Sequence, residues 1–138
     1  MVELLEASGT ADRLIISGFD HVVLKRAVER HSGLRTQAIT HARHAEIVGV
    51  LRACRARSVS IELDMFHPED AKVLHDAGYS NRVSLPRTEI LAEYRCGGRD
   101  IIPSVVRWIA EGLIDTISGD DVPFLASLVK RAGAATDG

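Results

Sequence analysis

The chain has 138 residues, 46% hydrophobic and 26% charged, which is enough to bury one ordinary core and points to a single domain. Its formal charge of -2, with Lys and Arg spread along the length, forms no basic stripe that would displace counterions from a nucleic acid, so that class of partner is disfavoured. No stretch approaches the ~18 apolar residues of a membrane span, and Met1 to Glu6 has neither the basic start nor the apolar core of a secretion signal, so the sequence reads as soluble and cytoplasmic.

Short apolar runs then alternate with longer amphipathic ones. Leu14 to Ile16 predicts a strand, and Asp20 the cap of a helix carrying Val23, Leu24, Ala27 and Val28 as far as Gly33. Leu34 to Ile39 predicts a second strand, Thr40 a cap, and Ile47, Val48, Leu51 and Cys54 the stripe of a second helix. Ser58 to Leu63 is a third strand, and Pro68 suits the first turn of a helix lined by Val73, Leu74 and Ala77 and ended by Gly78. Asn81 to Leu85 follows as a shorter strand closed by Pro86, then Glu89 to Tyr94 as one or two helical turns broken at Cys96-Gly97-Gly98. A helix from Pro103 to Glu111 carries Val105, Val106, Trp108 and Ile109. Leu113 to Ile117 is the last strand, and Asp120 or Asp121 caps a final helix with Phe124, Leu125, Leu128 and Val129. The domain spans residues 1–132, with 133–138 a flexible tail. Helices between successive strands imply parallel pairing with right-handed crossovers, an α/β fold of βα repeats. About five strands either close as a small doubly wound sheet or form part of a TIM barrel.

In parallel arrays chemistry gathers at strand C-termini. Glu62 ends a strand, alternation puts Asp64 on its side, and His67 follows within reach, so the three can hold a hard divalent cation; otherwise the carboxylates are simply solvated. His41 and His44, three apart, are either a ligand pair or part of a solvated first helical turn. His21 and His31 flank one helix without an identifiable partner, and Trp108 belongs to a core stripe. Ser118-Gly119-Asp120 at a helix start can receive a phosphate through backbone N–H groups, although Asp120 and Asp121 are most simply caps. Cys54 and Cys96, without CxxC spacing, read as small buried thiols.

Three stretches resemble the second half of the glycerophosphodiester phosphodiesterase barrel. They are Ile15-Ile-Ser-Gly-Phe-Asp20 followed by Leu24-Lys25-Arg26, the helix ending in Ala77-Gly78 within Phe66 to Gly78, and the closing segment from Trp108 to Pro123 with its Gly112, Asp115 and Asp-Val-Pro123 turn. The resemblance runs over residues 3–132 and implies half of a TIM barrel. It also implies hydrolysis of a glycerophosphodiester to an alcohol and a phosphomonoester with Mg²⁺ or Ca²⁺, and substrate contacts at Phe19, Ser118 and Asp120. The family's catalytic set, a His-Arg-Gly turn, a Glu-X-Asp pair and a further His on the first half of the barrel, has no match here. Where the family carries Trp-Thr, this chain reads Val83-Ser84-Leu85-Pro86. A phosphodiesterase half, inactive in isolation and with no assignable catalytic residue, is the resulting expectation. Two others stand beside it: a non-catalytic α/β module forming a homodimer through its open strand edges, and a small metal-dependent hydrolase centred on Glu62, Asp64 and His67.

Overall fold

The computed structural model describes residues 7–10, 13–87, 91, 95–96 and 99–136. Strands and helices alternate as β1 (Ile15–Gly18), α1 (His21–Arg30), β2 (Arg35–Thr40), α2 (Ile47–Cys54), β3 (Ser58–Glu62), a 3-10 turn at Leu63–Met65, α3 (Pro68–Asp76) and β4 (Ser80–Ser84). A two-stranded ribbon of β5 (Arg95–Cys96) and β6 (Arg99–Asp100) follows, then α4 (Ile102–Ala110), β7 (Thr116–Ser118) and α5 (Val122–Thr136). The main sheet has the order β1-β2-β3-β4-β7, and every neighbouring pair is parallel. Because the order never reverses, each right-handed crossover steps the same way and the helices collect on one face. A doubly wound sheet needs a reversal point; this sheet has none and is half a barrel.

Side-chain parity sorts the two faces. Ala38, Val59 and Val83 point to the helices, where Leu24, Leu51, Leu74, Val105 and Leu128 close over them. Two clusters result, one under α1 and α2 and one under α4 and α5, with Ile61 of β3 packed against both. Phe66 meets Trp108 in the second cluster at a ring-centroid distance of 4.9 Å.

Local signals explain most boundaries. Asp20 Oδ1 accepts from the N–H groups of Val22 and Val23 at 3.0 and 3.1 Å, and Asp121 Oδ1 from Phe124 N–H at 3.0 Å, so Asp121 rather than Asp120 caps α5. Gly78 and Gly112 end α3 and α4 in the left-handed region, and Arg55 takes that conformation (φ 58°) after α2.

Several sequence expectations need correcting. Thr40 does not cap α2, which starts seven residues later at Ile47; it ends β2 and its hydroxyl bonds the loop instead. Val23, Val73, Ala77 and Val129 are exposed, because the buried stripes run through Leu24, through Ala71 and Leu74, and through Leu128 and Ala132. The last strand begins at Thr116, since the N–H groups of Leu113 and Ile114 fold back onto Trp108 O and both side chains enter the core. The ribbon around residues 97–98 had no counterpart in the sequence reading. α5 runs through Gly133 to Thr136. Cys54 is a buried thiol, whereas the Cys96 side chain and most of Glu89 to Tyr94 lie outside the described residues. Among the described residues no helix is long and apolar enough to cross a membrane.

Two stability tests follow. Leu128→Ala should lower the unfolding free energy by about 2–5 kcal/mol in denaturant titrations, against about 1 kcal/mol for Asp121→Ala; the reverse ranking would mean α5 is held by its cap and not by the core. Arg55→Gly should raise stability by about 0.5–1 kcal/mol, because glycine enters the left-handed region without the steric cost that an L side chain carries there.

Candidate functional site

The face without helices is built of polar rows. Strand register aligns Ser17, Gln37, Ser58 and Ser80 in one row, and Ile39, Ser60, Arg82 and Thr116 in the next. Ser17 Oγ donates to Gln37 Oε1 and Gln37 Nε2 to Ser58 Oγ, both at 3.1 Å, and Arg82 Nε donates to Ser60 Oγ at 3.1 Å. These bonds let Gln37, Ser58 and Ser60 lie buried without an unmet polar group.

The third row sits at the strand C-termini. Glu62, Ser84 and Ser118 are in register, and Thr40 pairs with Ile61, which puts His41 beside Glu62. His41 Nδ1 is 2.9 Å from Glu62 Oε1, and its ring stacks on Phe19 with centroids 4.8 Å apart and planes 23° from parallel. The contact is an ion pair whenever the imidazole is protonated. An exposed imidazole beside a carboxylate and stacked on an aromatic ring can exchange a proton with a bound molecule.

The loop that carries His41 is tied down from the helix side. Arg43 forms a fork onto Asp70, Nε to Oδ2 at 2.7 Å and Nη2 to Oδ1 at 3.0 Å, and also reaches Glu69 Oε1 at 3.2 Å. Glu69 and Asp70 are the acidic first turn of α3, so the fork pins the β2–α2 loop to that helix start. Thr40 Oγ1 and His44 Nε2, 2.7 Å apart, close the same loop from inside. The hydrogen bonds from Arg43 hold the Asp70 carboxyl below its ordinary value, and in turn the guanidinium is held above its own.

The structure brings together a different set of residues from those the sequence paired. His41 and His44 part, one to Glu62 and one to Thr40. The alternation that would pair Glu62 with Asp64 does not extend to Asp64, because β3 ends at Glu62 and the chain turns at once into the 3-10 turn. His67 lies at the start of α3 with Nδ1 3.7 Å from Glu69. Among the described residues no three His, Cys, Asp or Glu side chains converge where a metal ion could be held, so the donor set does not fit the divalent cation that the resemblance implies. Of the expected substrate contacts, Phe19 stands at the site, Ser118 ends β7 in the same row, and exposed Asp120 faces Arg87 at 3.4 Å. Gly119 keeps the Ser118 segment tight against β4: a Cβ there would meet Leu85 O at 3.1 Å, while Leu85 N–H bonds Ser118 O at 2.8 Å. His21 has a partner after all, the Ile39 carbonyl at 3.0 Å, and the N–H of His31 closes α1 on Ala27 O.

A second polar cluster lies at the opposite, N-terminal end of the sheet. Asn81 is buried; its N–H reaches Asp115 Oδ2 and its amide the Leu113 carbonyl, each at 2.8 Å, while His75 Nε2 is 2.9 Å from the same carboxylate oxygen. Its groups are satisfied by one another and tie α3, β4 and the approach to β7, which makes it a scaffold element.

No protein-family model matches this sequence, and no curated protein matches it at a significant level. Among solved structures, the fold is similar to that of a putative glycerophosphodiester phosphodiesterase from Galdieria sulphuraria, with a TM-score of 0.66 and 14% identity over 99% of this chain and 49% of that one. The chain spans about half the length of that structure. At this identity the likeness is one of fold, and the half barrel expected from the sequence resemblance is supported at that level.

The Arg43 fork gives a pH-dependent prediction. A carboxyl held below its ordinary 3.8 in the folded protein contributes stability above that value and loses it as the pH falls through the folded-state value. Asp70→Asn should therefore melt at a lower temperature than the wild type at neutral pH, and the gap should close under acid conditions below the carboxylate range. A gap independent of pH would show that Asp70 acts by packing alone.

Proposed function

We propose that the chain is one half of a phosphodiesterase-type barrel and that the His41–Glu62–Phe19 cluster at its mouth binds and positions a glycerophosphodiester or its phosphomonoester product. The observation that carries this reading is an exposed imidazole, beside a carboxylate and stacked on an aromatic ring, at the strand C-termini of a sheet whose parallel order runs without reversal, the position where barrel folds place their chemistry. Arg82, half-buried on the same face and bonded only to Ser60 among the described residues, adds a fixed positive charge for a phosphoryl oxygen. Phe19 offers a flat apolar wall for the carbon skeleton of the ligand.

Cleaving a phosphodiester needs an acid, a base and neutralisation of the phosphoryl charge. His41 with Glu62 is suited to one proton transfer; the carboxylates for a cation are not assembled among the described residues. This half accordingly positions a ligand, and complete hydrolysis needs groups supplied by another half.

Titration of the chain with glycerophosphocholine, followed through the His41 ring resonances, should shift them, and Glu62→Gln should abolish or strongly weaken the response because the ring loses the carboxylate charge beside it. Turnover of the same compound with Mg²⁺ or Ca²⁺ should equal the buffer blank. Metal-dependent turnover that Glu62→Gln removes would replace this reading by a self-sufficient hydrolase, and His41 resonances unmoved by glycerophosphocholine or glycerol phosphate would overturn it.

A further inference from the structure

In a parallel βα array strand starts and helix ends lie at the same end of the sheet, opposite the mouth that holds His41. Six arginines meet there. Arg13 stands two residues before β1, Arg35 opens β2 and Arg57 directly precedes β3, while Arg30 lies in the last turn of α1, Arg52 in the last turn of α2, and Arg55 caps α2. Backbone bonds tie these starts together: Arg57 N–H donates to Thr36 O at 2.9 Å, Ser80 N–H to Arg57 O at 3.5 Å, and the Thr36 hydroxyl to Arg55 O at 3.4 Å. All six arginines are exposed. Along the chain they are spread from residue 13 to residue 57 and form no stripe; the register of β1, β2 and β3 gathers them.

Charge in this patch is one-sided. Among the described residues no carboxylate forms an ion pair with Arg13, Arg30, Arg52, Arg55 or Arg57, and Glu29, in the last turn of α1, faces Lys25 at 3.9 Å. Under β4 and β7 the same end of the molecule is balanced, with Asp76, Glu111 and Asp115 against Arg107, Lys130 and Arg131. The negative end of a helix dipole accounts for a cation at Arg30 and Arg52. It does not account for Arg13, Arg35 and Arg57, which belong to strand starts, nor for Arg55, which holds a φ of 58° where glycine carries no steric cost. All six are Arg and none is Lys, and a planar guanidinium fork matches the paired oxygens of a phosphodiester.

We propose that this patch binds the sugar–phosphate backbone of a single-stranded nucleic acid. β1, β2 and β3 start at intervals of about 4.8 Å with the ends of α1 and α2 behind them, so the patch is a few nucleotides long. A flexible strand can lay successive phosphates along so short a patch, whereas a stiff duplex leaves it after few contacts. A planar anionic bilayer pressed on this end would also meet Asp76, Glu111 and Asp115. Because the contacts are to phosphates, binding is independent of base sequence and falls with salt. The proposal does not rest on the ligand proposed for the mouth, which lies at the other end of the sheet.

Fluorescence anisotropy with a short labelled oligothymidylate should show binding at low salt. With four phosphates engaged, raising the salt from about 50 to about 200 mM should weaken it about fifty-fold. Arg55→Gly, which also relieves the turn, and Arg57→Gln should each weaken binding several-fold and flatten its salt dependence. Lys130→Gln in the balanced half should leave the affinity unchanged, and a mixed-sequence oligonucleotide should bind as the oligothymidylate does. No binding at low salt, binding that Arg55→Gly and Arg57→Gln leave unchanged, or equal binding of polyglutamate would overturn the proposal. A duplex bound more tightly than the single strand, or phosphatidylserine vesicles bound with the same dependence on Arg55 and Arg57, would overturn it in favour of that partner. The His41 response to glycerophosphocholine, read in the same variants, tests the mouth separately.

Discussion

Parity along five parallel strands governs the whole molecule. Successive side chains of a strand point to opposite faces, and the strand order never reverses, so the crossover helices among the described residues gather on one face. Ala38 and Val59 therefore share a core with Leu24 and Leu51, while Gln37, Ser58 and Ser60, one residue away, form a hydrogen-bonded polar surface. A shift of one residue in any pairing would exchange these sets and bury serines and Gln37 against leucines. β2 and β3 are inner strands, buried on both faces along most of their length, and His41 and Glu62 lie at their C-terminal ends.

The two ends of the sheet divide the remaining polar residues by how they are satisfied. At the N-terminal end, Asn81, Asp115 and His75 answer one another and the Leu113 carbonyl, which leaves little capacity for an outside molecule. At the C-terminal end, His41 stands beside Glu62, and Phe19, stacked on its ring, is 60% exposed. An unsatisfied, oriented group is stable only where water can reach it, so a mouth open to solvent can keep such a group in readiness while the closed end cannot.

Much of the fold was legible from local signals. The alternation of apolar runs and amphipathic stretches, the Asp20 cap and the stop at Gly78 are features of a few adjacent residues, and the structure contains all of them. The site was less legible because its members are distant in sequence. His41 meets Glu62 through the pairing of Thr40 with Ile61, and neither residue's neighbours announce that pairing. Reading by spacing alone joined Glu62 to Asp64, which fails once the backbone leaves the strand at Leu63. The usable signal was parity carried across elements: His41 continues the series of Gln37 and Ile39, and Glu62 that of Ser58 and Ser60, so both extend the polar face.

Division of the core into two clusters bears on why half a barrel can hold its shape. Leu51 and Val59 in one cluster and Val83, Val105 and Leu128 in the other are essentially inaccessible to water, and Ile61 packs against both. A closed barrel fixes its curvature by joining first strand to last; here that constraint is replaced by helices packed in sequence along one face. Such packing holds the middle of the array from both sides, as α2 lies between α1 and α3. The exposed apolar side chains Ile15, Val22, Val122 and Val129 belong to the outermost described strand and helices of this series.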